Sequence, residues 1–404
     1  MNKLGPQTAQ YLVVTANYWA FTLTDGALRM LVVLHFYGLG YSPLAIAMLF
    51  LFYEFFGVVT NLVGGWLGAR LGLNRTMNVG LVLQVFALLM LLLPAEYLTV
   101  AWVMAAQALS GIAKDLNKMS AKSAIKTLIP DAQQGRLYRW VALLTGSKNT
   151  LKGVGYFLGG ALLTAFGFQG AVGLMALMLA LVCVFSVWKL RGDLGVAKNK
   201  PKFSEIFSRS GPVNVLSAAR MFLFASRDVW FVVALPVYLA QSLGWSHTQV
   251  GGFLALWIIA YGVVQALAPR MTGAQAGSSP SGRNALIWVA LLSLIPAAIA
   301  LALSSGADAQ ITLVAGLLVF GAVFAVNSAL HSYLIVSYAN GDGVSVDVGF
   351  YYMANAMGRL LGTVLSGWVF QQSGLEACLW VSSGFLVLTV LISLALPKPT
   401  TALA

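Results

Sequence analysis

The stretch Phe168–Leu190, FQGAVGLMALMLALVCVFSVWKL, decides the fold class. It runs 21 residues before its first charge, Lys189. About 20 apolar residues suffice to cross the hydrocarbon core of a bilayer as a helix. Working outward, almost every segment away from a few short basic loops repeats this pattern. Of 404 residues, 59% are hydrophobic and 9% are charged, and the mean hydropathy is +0.83. Soluble domains carry about 25% charged residues, so this chain cannot clothe a water-facing surface. The expected fold is an all-α polytopic membrane protein. Spans are expected at 11–37, 43–69, 76–93, 98–126, 137–165, 168–190, 213–241, 248–269, 284–304, 309–338, 345–372 and 374–396. Twelve spans leave little chain for a soluble catalytic domain, and no enzyme is expected.

The first apolar run, from Tyr11 to Phe36, is too long for a signal-peptide core and is interrupted by Asp25 and Arg29. It is therefore expected to be retained. Cys183 and Cys378 both fall in apolar runs and suggest packed thiols. Neither a metal site nor a cofactor is expected.

Fifteen of the 24 Lys and Arg fall at one alternating set of ends and loops: Lys3, Arg70, Arg75, Lys126, Arg136, Arg139, Lys189, Arg191, Lys198, Lys200, Lys202, Arg209, Arg270, Arg283 and Lys398. The opposite loops, near Gly38, Glu96, Gly167, Gly244, Asp308 and Ser373, hold none. Positive-inside bias puts the basic set, and both termini, in the cytoplasm. The net charge of +12 partly reflects this bias and does not argue for nucleic acid.

The longest polar stretch, Arg191–Pro212, divides the spans six and six. Three parts are expected: a six-helix bundle over 1–190, a cytoplasmic linker over 191–212, and a second bundle over 213–404. The halves echo each other. Gly40-Tyr41-Ser42 matches Gly244-Trp245-Ser246, and Asp25 falls one place from Asp228. At an offset of 207, Lys152 falls on Arg359, Gly155 on Gly362, Gly160 on Gly367 and Gly167 on Gly374. Parallel repeats of this kind build transporters with a central site.

Nine bases lie inside the expected spans: Arg29, Lys114, Lys118, Lys122, Lys148, Lys152, Arg220, Arg227 and Arg359. Against them stand four clear intramembrane acids, Asp25, Glu54, Asp115 and Asp228, so about five positive charges lack an obvious counter-ion. Intramembrane charge costs ~3 kcal/mol or more to insert and marks a cavity or a partner. An excess of cations marks a site for an anion, with lysine acting as a point charge and arginine as a fork. The expected substrate-binding residues are Arg29, Lys114, Asn117, Lys118, Lys148, Lys152, Arg227 and Arg359. Lys148 and Lys152 carry the most weight, being like charges one turn apart with no acid on their helix. Asp25 and Arg29, at i,i+4, have equal claim to neutralise each other or to act separately. Asp115 and Lys118 admit the same pairing. Lys122 is expected to snorkel, and Arg227 need not pair with Asp228, because successive helical side chains diverge by about 100°. Lys114 and Lys118 are expected to share a stripe with Asn117. Candidates for proton coupling are Asp25, Glu54, Asp115, Asp228 and His331, with Asp25 and Asp228 the preferred pair.

Other signals weigh little. Asn74-Arg75-Thr76 fits a glycosylation sequon in a cytoplasmic loop, and the glycines from Gly153 to Gly159 lie inside a span, where they let helices pack closely. The chain has no Walker motif to supply ATP drive.

The segment Gly65-Trp66-Leu67-Gly68-Ala69-Arg70-Leu71-Gly72-Leu73-Asn74-Arg75 resembles the signature between the second and third helices of major facilitator superfamily transporters. The resemblance lies in Gly65, Leu67, Arg70, Gly72 and Arg75; the family's usual Asp is Ala69 here, and one usual base is Leu73. It implies the major facilitator fold, with Gly65, Arg70, Gly72 and Arg75 in a gating loop. Longer stretches resemble the ArsJ-type organoarsenical efflux permeases: NYWAFTLTDGALRMLVVLHF (17–36), LFLFYEFFGVVTNLVGGWLGARLGLNRTMN (49–78), QALSGIAKDLNKMSAKSAIK (107–126) and SAARMFLFASRDVWFVVALPVYL (217–239). That resemblance implies export of 1-arseno-3-phosphoglycerate by a monomer in the bacterial inner membrane, proton-coupled as an antiporter and conferring arsenate resistance. A glyceraldehyde-3-phosphate dehydrogenase would be the functional partner that makes the ester. Lys114, Lys118, Lys148 and Lys152 would hold one oxyanion end, and Arg227 with Arg359 the other. The alternatives are an organophosphate–phosphate exchanger, a general oxyanion carrier, and a non-transporting receptor.

Overall fold

The structure is a computed structural model that describes residues 6–41, 49–128, 134–190, 194–272, 280–339 and 341–397. Lys3, Arg191, Lys398 and the start of the expected second span lie outside these residues. Among the described residues all regular structure is helical: α1 (Pro6–Gly38), α2 (Leu51–Leu71), α3 (Leu73–Met90), α4 (Val100–Leu128), α5 (Gln134–Lys189), α6 (Gly211–Phe231), α7 (Ala234–Gln241), α8 (His247–Met271), α9 (Gly282–Ser304), α10 (Ala309–Tyr338) and α11 (Val344–Ser393).

The expected connections near Gly167 and Ser373 prove to be single-residue reversals inside α5 and α11. Gly167 has φ 67° and ψ −178°, and Gly374 has φ 75° and ψ −173°. Only glycine adopts such angles without a steric penalty, so the equivalent position in each half makes the same turn. The expected seventh span is likewise interrupted, between α6 and α7. Pro236 has no N–H to offer the Val232 carbonyl, and at the break the Ser366 hydroxyl accepts from two other backbone donors, Val233 N (3.3 Å) and Ala234 N (3.1 Å).

The chain forms two compact units, one of residues 1–132, 147–208 and 339–353, the other of 133–146, 209–338 and 354–404. They are not uninterrupted halves: α5 and α11 each pass from one unit to the other along their length. In the first unit α4 packs against α1, α2 and α3; in the second α10 packs against α6, α8 and α9. Each unit has its own apolar core, around Phe21, Leu31, Phe36 and Leu88 in the first and Trp230, Trp257, Phe320 and Phe324 in the second.

Polarity runs opposite to that of a soluble protein. Val184 and Ile311 are 69% and 70% exposed, whereas Asp115, Asn117, Asp228 and His331 are buried. Seven helices among the described residues are long and apolar enough to cross a membrane. An apolar exterior around buried charge is stable in lipid and unstable in water. This is a multi-pass membrane protein.

Candidate functional site

In the first unit, glycine sets the geometry. A Cβ on Gly155 would lie 2.7 Å from Leu23 O and 3.0 Å from Ala27 N, and one on Gly26 would lie 2.6 Å from Lys152 O. Backbone-to-backbone approach of α1 and α5 therefore brings Lys152 to Asp25, with Nζ 3.9 Å from Oδ2. Asp25 Oδ1 accepts from the Tyr53 hydroxyl at 2.7 Å. Arg29 meets Glu54 across helices at 3.7 Å. On α4, Asp115 is shared by Lys118 (2.5 Å) and Lys114 (3.7 Å). A Cβ on Gly57 would sit 2.9 Å from Asp115 Oδ2, so the glycine leaves room for the carboxylate. Two tyrosine faces complete the cluster: Lys114 Nζ lies 3.8 Å from the Tyr53 ring centroid and Lys118 Nζ 4.7 Å from that of Tyr352.

The second unit repeats this construction. A Cβ on Gly362 would meet Ala225 O and Asp228 Cβ, each at 2.8 Å, and Gly358 abuts the Met221 carbonyl. That approach of α6 and α11 brings Arg359 Nε to 3.4 Å from Asp228 Oδ2. Asp228 Oδ1 takes Arg227 Nε at 2.6 Å and Nη2 at 2.5 Å. Arg227 thus bends back onto its neighbour, contrary to the expectation from side-chain divergence, and its guanidinium lies over Phe224 (4.9 Å), Phe324 (5.5 Å) and Phe231 (5.9 Å). The acid–base–glycine matches at offsets near 204 and 207 thus correspond to one structural device built twice.

Several expectations change. Lys122 does not snorkel; it is 2% exposed. Arg220 is buried too, with Nε donating to Asn355 Oδ1 (2.9 Å) and Nη1 to Ser328 Oγ (3.1 Å). Lys152 has an acid opposite it after all, and Lys148 donates to Asn149 Oδ1 at 3.1 Å. Asn117 leaves the lysine stripe: it is fully buried against Gly80, with Nδ2 donating to Ala113 O. His331 is fully buried, and neither ring nitrogen has a hydrogen-bond partner. Among the described residues the four acids meet Arg29, Lys114, Lys118, Lys152, Arg227 and Arg359, so the excess of cations over these acids is unchanged and is gathered into clusters.

In the expected gating loop, Gly72 links α2 to α3 at φ 94°, Gly65 packs against the Ser345 carbonyl, and Arg70 lies over the Trp66 ring at 5.1 Å. Arg75 is exposed. At Ala69, where the signature has its Asp, the backbone carbonyl accepts from Ala197 N at 2.9 Å. The neighbouring connecting segment reaches Asp342 through Lys198 N at 2.7 Å. Tyr53, Tyr352 and Gly57 were not among the expected site residues. Tyr53 adjoins Glu54 in an aromatic run, where nothing in the sequence separates a site tyrosine from a packing one.

A model of the Major Facilitator Superfamily matches residues 11–346. No curated protein sequence matches significantly. Among solved structures, the human organic anion transporter MFSD10 (TETRAN) has a TM-score of 0.76 at 16% identity, with 96% of this chain and 100% of that chain covered. A bacterial homologue of the iron transporter ferroportin, in an outward-facing state, scores 0.72 at 14% identity over 97% and 99%. The E. coli fucose:proton symporter FucP scores 0.75 at 9% identity over 98% and 100%. At these identities the likeness is one of fold.

Proposed function

Because this chain belongs to the Major Facilitator Superfamily, we propose that it is a secondary transporter exporting a multivalent oxyanion ester, 1-arseno-3-phosphoglycerate. The observation that carries the anionic cargo is the sharing of buried carboxylates. Asp115 lies between two lysines and Asp228 between two arginines, which leaves each cluster with more positive than negative charge. Such a cluster is completed by an anion. Lysines held over tyrosine faces and an arginine among phenylalanines favour an oxyanion on a small organic body. The resemblance of four long stretches to organoarsenical permeases supports arsenate as one of the acidic groups.

On this reading the chain crosses the bacterial inner membrane twelve times with both termini in the cytoplasm. The seven apolar helices, the reversals at Gly167 and Gly374, and α1, α2 and α4 together supply that number. A glyceraldehyde-3-phosphate dehydrogenase using arsenate supplies the cargo, which decomposes to arsenate and 3-phosphoglycerate after release.

The test is transport into everted membrane vesicles given arsenate, the dehydrogenase, its substrate and NAD, each omitted in turn. Arsenic accumulation that requires every component is the expected result. Accumulation with arsenate alone, or equal transport of other phosphate esters, would replace this reading with a general oxyanion carrier or an organophosphate exchanger. In the same assay, alanine at Lys148, Lys152, Arg227 or Arg359 is expected to lower flux about tenfold or more, the scale of one lost charge-assisted contact. Normal flux in folded, inserted variants would remove those residues from the site.

A further inference from the structure

Between α5 and α6 the chain runs from Leu194 to Ser208 with one short helical turn, Phe203–Glu205. A connecting segment of this kind is ordinarily mobile, but here its backbone is tied down along its length. Leu73 N donates to Leu194 O (2.8 Å), and Ala197 N to Ala69 O (2.9 Å). Trp66 Nε1 donates to Pro201 O (3.0 Å), and Lys198 N and Asn199 N donate to the Asp342 carboxylate (2.7 and 3.3 Å). Toward the far end Ile206 is buried and Ser208 Oγ donates to Asp347 Oδ1 at 2.6 Å. The segment is thus pressed onto the α2–α3 connection and the start of α11, and its outer face is fixed.

That outer face carries Lys198, Asn199, Lys200, Lys202, Phe203 and Phe207, all exposed. Among the described residues the three lysines pair with no carboxylate, and the segment's acid, Glu205, folds back to accept from Lys202 N at 2.9 Å. Phe203 and Phe207 are 60% and 57% exposed, although each has an aromatic neighbour edge-on to it, Trp66 at 5.5 Å and Phe350 at 6.1 Å. The helix leading into the segment ends the same way, with Trp188 exposed and Lys189 Nζ 4.2 Å from its ring centroid. Water leaves two large rings unsolvated, and a hydrocarbon core rejects three lysines. The headgroup layer of a bilayer accepts both, because rings enter the acyl boundary while lysine stems reach out to phosphates. The segment lies at that level, since it joins the ends of two helices long and apolar enough to cross a membrane. We propose that residues 194–208 form a docking surface for anionic phospholipid, with Lys198, Lys200 and Lys202 on lipid phosphates and Phe203 and Phe207 in the acyl boundary. A zwitterionic lipid offers the same boundary without net charge, so the lysines select the anionic headgroup, each contributing about fivefold in binding. The backbone ties spare the surface most of the ordering cost that a loose loop would incur on docking.

The experiment places a polarity-sensitive fluorophore on Asn199→Cys in the full-length protein, reconstituted in phosphatidylcholine nanodiscs with rising phosphatidylglycerol. Cys183 and Cys378 are buried, so the new thiol is the accessible one. A blue shift that saturates by about 30% phosphatidylglycerol and is reversed by ~0.5 M salt is the expected result. In that labelled protein, Lys198→Gln, Lys200→Gln and Lys202→Gln together should raise the phosphatidylglycerol content needed for half the shift about tenfold or more, which abolishes the shift over the range of the titration. Removing as many charges elsewhere, by glutamine at the exposed Arg139, Arg270 and Arg283, should leave the response within about twofold. Phe203→Ser with Phe207→Ser keeps the charge and should weaken the response about tenfold with its salt dependence intact. Absence of a shift with phosphatidylglycerol would overturn the proposal, and an equal loss in the arginine set would overturn it by reducing the effect to overall charge. A shift given by inorganic phosphate in pure phosphatidylcholine would overturn it in favour of a free-anion site. An unchanged response in the phenylalanine pair would overturn the part assigned to the rings.

Discussion

Replacing Asp228 by alanine is expected to destabilise the protein by about 3 kcal/mol and to abolish transport. Asp228 is 1% exposed and neutralises Arg227 and Arg359 together. Removing one partner of a buried pair strands the other, at a cost of ~3–5 kcal/mol. The lower end applies here, since Arg359 is 29% exposed and can turn toward water. Arg227 cannot escape so easily, because Phe224, Phe231 and Phe324 surround its guanidinium. Asp228→Asn keeps the volume and one acceptor and should cost less. The double change Asp228→Leu with Arg227→Met should recover most of the stability without the activity, because it removes both the stranded charge and its partner. Thermal unfolding in detergent measures all three variants. A loss below about 1 kcal/mol in Asp228→Ala would sink the shared-carboxylate account.

Gly155→Leu should be strongly damaging without any change of charge. A Cβ there meets Leu23 O, Ala27 N and Gly26 Cα at 2.7, 3.0 and 3.1 Å. All three are backbone atoms and cannot rotate aside. Alanine alone should cost ~1–3 kcal/mol, the usual range for overpacking, and leucine more. The greater consequence is functional: parting α1 from α5 draws Lys152 away from Asp25, so flux should fall about tenfold or more even in protein that still inserts. Gly362→Leu should act likewise on Arg359 and Asp228. Gly160 is the control, because a Cβ there meets only Leu34 Cδ1 at 3.7 Å. Gly160→Ala should change stability by no more than ~0.5 kcal/mol. Thermal unfolding and vesicle flux for Gly155→Ala and Gly160→Ala decide the matter, and equal behaviour of the two would remove glycine-set helix approach as the cause.

These predictions show where reading the sequence alone stops. Asp25 has a base four residues away on its own helix, and that neighbour would have been a sufficient partner in isolation. Lys152, distant in sequence, reaches Asp25 as well, because Gly26 and Gly155 let two backbones touch. Asn117 shows the converse: its position beside Lys114 and Lys118 suggested a common stripe, but its helical phase turns it into Gly80. Tyr53 was hidden among aromatic neighbours, and only the structure puts its hydroxyl on Asp25 and its ring under Lys114.

By itself the sequence determined that the chain is a membrane-spanning helical protein, with matched acids, bases and glycines at offsets near 204 and 207. Twenty-residue apolar runs have no other stable use in bulk, and glycines such as Gly167 and Gly374 announce a backbone other residues resist. Most of the charges it placed within the spans meet in ion pairs. Only the tertiary structure decided which acid serves which base. Lysine and arginine side chains are long and flexible, so several partners lie within reach of each. The choice among them is made by the spacing of neighbouring helices, and a single missing Cβ sets that spacing.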